Sequence, residues 1–357
     1  MTMESKMEPV ILDDLTAPFP WFGGKRRVAD LVWNALGPVD NYVEPFAGSL
    51  ACLWARPDDR WQTVTETVND ADSYLSNFWR ALSADPEEVA RWCDWPVNET
   101  DLLARHLWLV NTGRERIAKM EADPEFYDAK VAGWWVWGIS AWIGSGWCSG
   151  NGPWKIIDGE VRKLPHLGNA GLGVNRKLPH LGDAGQGVNR QLPHLGNAGL
   201  GVNRQLPHLG DYFQALACRL RRVRVCCGDW ARVVTNGAMA YGDSVGVFLD
   251  PPYLGDVRTK DLYRVDDHSI SAAVRDWAIA HSDDKRLRIV LAGYAEEHQD
   301  FMPASWRVHE YSANAAYQTA NGGGVNAANR HNERLWFSPH CITGDNEPLL
   351  SQRARPL

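Results

Sequence analysis

Short apolar runs recur along this chain, each followed by a turn and then by apolar positions spaced three and four apart. "NYVE" (Asn41 to Glu44) reads as a strand running into the loop "PFAG", with a helix near Ser49 to Ala55. "TVTETV" (Thr63 to Val68) reads as the next strand, followed by a helix from Ser73 to about Ala84. From about Pro86 to Phe126 the spacing turns helical and rich in Trp. "VAGWWVWGISAWIGSG" (Val131 to Gly146) then reads as a buried helix whose rings serve mainly as core. The alternation resumes with "VRVCC" (Val223 to Cys227) as strand, a helix from Trp230, "VGVFLD" (Val245 to Asp250) as strand and a helix from Ser269 to His281. "LRIVLAG", "WRVHEYS" and "ERLWFS" follow as late strands. Strand and helix in repeated alternation predict an α/β fold with parallel strands and helices on the sheet faces.

The pattern divides the chain into a first α/β half (18–85), an inserted lobe (86–211) and a second α/β half (212–340). Residues 1–17 and 341–357 lack periodicity and read as flexible ends. Within the lobe, 163–211 carry a tandem repeat of period 14, marked by "PHLG" at Pro165, Pro179, Pro193 and Pro207. A proline and several glycines in each unit exclude a continuous helix, and the period fits none of the usual solenoids. Units end in Arg176, Arg190 and Arg204 and begin near His166, His180, His194 and His208. No carboxylate or thiolate recurs beside these histidines, so no metal is expected. The repeats read either as a duplicated surface loop without function or as a flexible arm whose arginines touch phosphates.

Composition narrows the function classes. With 357 residues, 45% of them hydrophobic, the chain can bury a substantial core and a smaller second lobe. A net charge of −7 weighs against nonspecific binding of polyanions. The distribution says more: Lys155 to Arg232 holds twelve Lys or Arg against five Asp or Glu, a basic middle suited to local phosphate contact, to which "RLRRVR" (Arg219 to Arg224) belongs unless that run is a solvated helix end. The seven cysteines are odd in number and never spaced C-x-x-C, so they read as reduced, mostly buried thiols. No N-terminal segment resembles a signal peptide, and the longest apolar stretch, Val131 to Gly144, is shorter than the roughly 20 residues a membrane span needs. A cytoplasmic protein without a membrane partner is the expectation.

Candidate chemistry sits where strands end. In "VEPFAGSLA" a strand ends at Glu44 and a tight loop through Ala47 and Gly48 leads to a helix, which lets backbone approach a ligand at the carboxyl edge of the sheet. About 20 residues on, Asn69 and Asp70 close the next strand. They either cap the following helix or accept hydrogen bonds from a ribose diol. In "GVFLDPPYLGD" a buried strand runs into Asp250, Pro251, Pro252 and Tyr253. Asp250 accepts hydrogen bonds, the prolines restrict the backbone so that carbonyl oxygens face outward, and Tyr253 offers a ring face. Together they suit a planar substrate bearing an amino group whose lone pair is freed for attack on an electrophile.

"PWFGGK" (Pro20 to Lys25), "EPFAG" (Glu44 to Gly48), "ND" (Asn69, Asp70), "GDW" (Gly228 to Trp230), "DPPY" (Asp250 to Tyr253) and "ERLWFSP" (Glu333 to Pro339), in this order, resemble the Dam-like DNA adenine-N6 methyltransferases of the D12 class. The resemblance spans about Phe19 to Pro339, without the repeats. It implies a Rossmann-like seven-stranded sheet that binds S-adenosylmethionine, with 18–85 as the cofactor-binding half, 86–211 as an inserted target-recognition lobe and 212–340 as the catalytic half. Carried over by motif, it places Trp21, Gly23, Gly24, Lys25 and Glu44 at the cofactor and Phe46, Ala47 and Gly48 under its methionine part. Asp70 falls at the ribose, and Asp229 and Trp230 around the adenine. Asp250 contacts both the methionine amine and the target amine, Pro251 and Pro252 shape the catalytic turn, and Tyr253 stacks on the target base.

The implied activity is site-specific methylation of adenine N6 in double-stranded DNA by a monomeric enzyme of phage or orphan type, acting in a bacterial or phage-infected cell to protect or mark DNA, as in restriction-modification. The target base would be flipped out of the stack at a cost of a few kcal/mol. Arg176, Arg190 and Arg204, with Arg330 in the glycine-rich loop Tyr317 to Asn332, are candidate DNA contacts. Two departures stand out: the loop reads F-A-G-S where the family has F-x-G-x-G, and the repeats have no counterpart in compact members. The rival readings are the same chemistry on cytosine N4, RNA or a protein amide, and a catalytically silent DNA-binding protein. An Asp before the Pro-Pro pair favours adenine over the other acceptors.

Overall fold

The computed structural model describes residues 15–21, 25–57, 62–123, 125–142, 147–148, 154–157, 160–163, 209–252, 267–311 and 333–342. The repeats between 164 and 208, the loop 317–332 and the chain ends read as flexible lie wholly or largely outside the described residues. In chain order the elements are α1 (Ala29–Leu36), β1 (Asn41–Glu44), α2 (Ala51–Trp54), β2 (Thr65–Asp70), α3 (Ser73–Ala84), α4 (Pro86–Cys93), α5 (Glu99–Trp108), α6 (Arg114–Ile117) and α7 (Ala129–Ala141). Then come β3 (Trp154–Ile157), β4 (Glu160–Lys163), α8 (Leu209–Leu220), β5 (Val223–Cys227), β6 (Val245–Leu249), α9 (Asp267–Ala280), β7 (Leu287–Tyr294), α10 (Ala295–His298), β8 (Arg307–Tyr311) and β9 (Glu333–Phe337).

By contacts the chain divides into two compact units, one of Gly23–Asp72 and Arg224–Leu357, the other of Met1–Phe22 and Ser73–Val223. The first is α/β. Its seven-stranded sheet has the order β5-β2-β1-β6-β7-β9-β8. β1 is parallel to β2 and to β6, and β6 is parallel to β7, in the registers Asn41↔Thr65, Asn41↔Val245 and Val245↔Leu287. β9 is inserted antiparallel between β7 and β8. Counting sheet strands alone, the first five follow the doubly wound order 3-2-1-4-5, compatible with a Rossmann-like fold. The central strand β6 (VGVFL) reads as an unbroken apolar run, as expected of a strand buried on both faces. All five residues of β6 are buried, within a core that includes Val43, Val247, Leu249, Ile289, Leu291 and Trp336.

The second unit is mainly helical. Its helices start where the sequence supplies caps: Asp85 accepts from Glu88 N at 3.2 Å ahead of Pro86, and Asp128 accepts from Val131 N at 2.9 Å. α7 is apolar almost all round and packs against α3 and α4, with Trp135 and Trp137 buried. Phe19 wedges between Phe78 and Trp135, its ring centre 5.5 and 5.2 Å from theirs. α3 and α8, which the sequence division at 86 and 211 gives to the flanking α/β halves, pack here with α7 and α4. An apolar stripe announces a helix but not the partner that will cover it.

Two expected elements differ. The helix from Trp230 is a single 3-10 turn, Trp230–Val233. The β-branched run Val233, Val234, Thr235 and then Asn236-Gly237 halt it, and Thr235 Oγ1 accepts from Ala238 N at 3.3 Å instead. The run "RLRRVR" is split between the buried end of α8 at Arg219, an exposed turn at Arg221 and Arg222, and an exposed position of β5 at Arg224. The structure also adds α1 ahead of the first strand and the β3–β4 hairpin. Among the described residues, no helix is long and apolar enough to cross a membrane.

Candidate functional site

Strand order creates the site. The chain leaves β1 toward β2 and returns on the other side as β6, so the loops following these neighbours diverge and open a crevice at the carboxyl edge of the sheet. Glu44, Gly48, Asp70, Asp229 and Asp250, scattered over more than two hundred positions of sequence, all lie at that edge of the α/β unit.

The β1 loop is tightly wound. Leu50 N donates to Ala47 O at 2.7 Å, and Gly48 has φ 47°. Leu50 stands where the F-x-G-x-G pattern has its second glycine, and it adopts the left-handed conformation with φ 59°. That conformation costs roughly 1–2 kcal/mol for a residue with a Cβ, and the fully buried Leu50 side chain offsets it. The missing glycine is therefore replaced in backbone geometry though not in residue type.

Asp70 closes β2 and ties this loop down. Its Oδ2 accepts from Gly48 N at 3.0 Å and its Oδ1 from Asp72 N at 2.9 Å. Burial raises its pKa to about 7, against the partial opposition of those amide donors. The sequence left capping and ligand binding as alternatives for this pair of residues; Asp70 does organise its own turn, and it does so at the crevice. Asn69 beside it spans two loops: its Nδ2 donates to Pro45 O and to Gly228 O, each at 3.0 Å.

The β5 loop presents Asp229 and Trp230. Asp229 is exposed and accepts from Ala231 N at 2.8 Å. Trp230 faces Phe46, ring centres 6.1 Å apart and planes 30° from parallel, and meets Trp277 edge-on. Gly228 has φ 129°, a conformation open essentially to glycine alone.

At the end of β6, Asp250 Oδ1 lies 3.1 Å from Lys25 Nζ, their side chains 19% and 7% exposed. Pro251 is buried behind it. Glu44, on the adjoining strand, is buried and accepts from Tyr42 Oη at 3.0 Å. Burial pushes its carboxyl well above the usual range, the Tyr42 hydroxyl opposes this, and the negative fields of Asp250, Glu66 and Asp70 add to it. Among the described residues the edge thus carries several carboxyl groups and the embedded ammonium group of Lys25.

Of the other residues expected at the site, Trp21 is placed in the helical unit, against Phe19 and Trp135. Gly23, Gly24, Tyr253, Arg176, Arg190, Arg204 and Arg330 lie outside the described residues. The Lys25–Asp250 pair and the double donation by Asn69 were not foreseen. A buried lysine near a glycine pair and an amide before the strand-end acid were the only sequence signals for them. Among the described residues, no cluster of three or more His, Cys, Asp or Glu is arranged to hold a metal ion. An open depression at the opposite edge of the sheet, lined by Asp40, Thr63, Tyr241 and Asp243 among others, carries no comparable chemistry. There Asp40 Oδ2 already accepts from Asp243 N, Ser244 N and Ser244 Oγ. No protein-family model matches the chain, and no curated protein matches it.

Proposed function

We propose that this protein is an S-adenosylmethionine-dependent DNA methyltransferase acting on the exocyclic N6 of adenine in double-stranded DNA. The observation that carries the reading is the position of Asp250, at the end of the central strand β6, ion-paired to Lys25 and on the same sheet edge as Gly48 and Asp70. Lys25, Glu44, Gly48, Asp70, Asp229 and Asp250, drawn from five of the motifs that resemble the Dam-like family, lie at that one edge, where doubly wound sheets bind ligands.

The chemistry of the donor set fits the cofactor. A ribose diol and an α-amino group donate hydrogen bonds, and Asp70, Asp229 and Asp250 are acceptors. A ligand bearing several phosphates would meet three carboxylates and is disfavoured. Asp70 would hold the ribose, Asp229 and Trp230 would lie around the adenine, and Phe46, Ala47 and Gly48 would lie under the methionine part. When bound, S-adenosylmethionine supplies an activated methyl group. The chain's own residues do the rest: Asp250 accepts a hydrogen bond from the target amine and keeps its lone pair out of the ring, and Lys25 holds the carboxylate in place. Pro251 and Pro252 fix the path of the turn. Alignment and fixed electrostatics of this kind supply most of the acceleration in such a transfer.

The test is incubation with methyl-labelled S-adenosylmethionine and duplex DNA, followed by nucleoside analysis. Label in N6-methyladenine is expected. Label in methylcytosine, in RNA or in protein, or none at all, overturns the assignment.

A further inference from the structure

Asn69 belongs to the buried polar groups that the proposed chemistry leaves unexplained. It is 2% exposed, and the two hydrogens of its amide nitrogen go to two carbonyls from different parts of the chain, Pro45 O and Gly228 O, each at 3.0 Å. Both partners are acceptors, so only the NH2 end of the amide can face them and its orientation is settled by chemistry. The backbone completes the bracket: Ala47 N donates to Asn69 O at 2.9 Å, and Gly228 N donates to Asp70 O at 3.0 Å. The amide Oδ1 is buried without a partner, an expense that a residue serving only to fill space would not incur.

Pro45 immediately precedes Phe46, Ala47 and Gly48, and Gly228 immediately precedes Asp229 and Trp230. One side chain thereby ties together the loops after β1 and β5 on either side of Asp70, and with them the facing rings of Phe46 and Trp230. We propose that Asn69 is a positioning residue for the cofactor: its amide nitrogen sets the spacing of these two loops, and so the affinity for an adenosine-containing ligand. This rests on the methyltransferase reading above.

The substitution Asn69→Asp keeps the shape but removes the shared donor: an ionised carboxylate would repel both carbonyl oxygens, and a protonated one could donate to only one of them. Losing this buried donor should raise KM and Kd for S-adenosylmethionine by at least about tenfold. At saturating cofactor, kcat should stay within about twofold of the wild type, because Asp250 and its neighbours are untouched. Asn69→Ser, which retains one donor, should fall between the two and carries the comparison if Asn69→Asp does not fold. A purely structural role predicts the opposite split: less active protein, a lower apparent kcat and an unchanged cofactor KM. That outcome, or equal cofactor affinity in all three proteins, overturns the proposal for Asn69 while leaving the enzyme assignment intact. A wild-type protein that binds no S-adenosylmethionine overturns both.

Discussion

In the helical unit Lys130 and Arg105 each lie over several tryptophan rings, although Arg116 also pairs with Asp128, whereas at the candidate site of the sheet edge charges face carboxylates and main-chain amides. Lys130 Nζ lies 4.3, 4.5 and 5.2 Å from the ring centres of Trp134, Trp108 and Trp92. Arg105 lies over Trp137, Trp95 and Trp134 at 4.2, 4.8 and 5.1 Å. In the α/β unit Lys25 meets Asp250, Arg56 meets Glu66 at 3.1 Å deep in the interior while also lying 4.9 Å over the Trp33 ring, and Asp70 and Asn69 are bonded to backbone at about 3 Å. A ring face attracts a cation over a broad range of positions, which suits packing. Hydrogen bonds to carboxylates and amides are directional, and they hold loops to a few tenths of an ångström, which suits chemistry.

If that division is right, substitutions in the two units should separate activity from stability. The largest effect is expected for Asp250→Ala, which should lower methyl transfer to DNA by at least about 100-fold; retained transfer would remove Asp250 from the reaction. Next comes Trp137→Ala in the helical unit, which empties a site 1% exposed and should cost about 3–5 kcal/mol of stability in denaturant melts. Cofactor affinity of the folded protein should not change, and a parallel loss of affinity would break the contrast.

Asp70 sharpens it further. Its pKa of about 7 in the folded protein lies above the ordinary 3.8, so the folded state holds the proton more tightly than the unfolded state. Its contribution to stability is therefore greatest below the ordinary value and declines as pH rises to about 7. Ligand binding runs the other way, because hydroxyl donors need the carboxylate. Affinity for S-adenosylmethionine, measured by calorimetry, should weaken as pH falls below 7, by up to about tenfold per unit. Asp70→Asn should bind more weakly and without that slope; an unchanged slope would show that another group titrates. The smallest effect is expected for Lys130→Met, about 0.5–1 kcal/mol of stability with no change in transfer.

Much of the fold was readable because its signals are local. α3 has the bounds that its periodicity predicts, Ser73–Ala84, and the apolar runs at β1, β6 and β7 are strands. The failures have the same origin. The segment after Trp230 has helical spacing but β-branched residues and glycines that stop the turn. At the site, Gly48, Asp70 and Asp250 could be picked out one by one, since a strand that ends in an acid or a glycine announces itself. Their grouping was expected only from the family resemblance, because the geometry that brings them together depends on strand order. Asn69 looked like a companion of Asp70, and nothing in its neighbours along the chain reveals that it reaches Pro45 and Gly228.

What the sequence alone determined is which segments become strands and helices and which strand ends carry acids, glycines and prolines, since side-chain period and backbone propensity act over a few residues. Only the tertiary structure decided that β1 and β6 lie side by side, that Lys25 meets Asp250 across 225 positions, and that burial lifts Asp70 to a pKa of about 7. Those features depend on distance and dielectric in three dimensions, and the order of residues along a chain specifies neither until the sheet has closed around them.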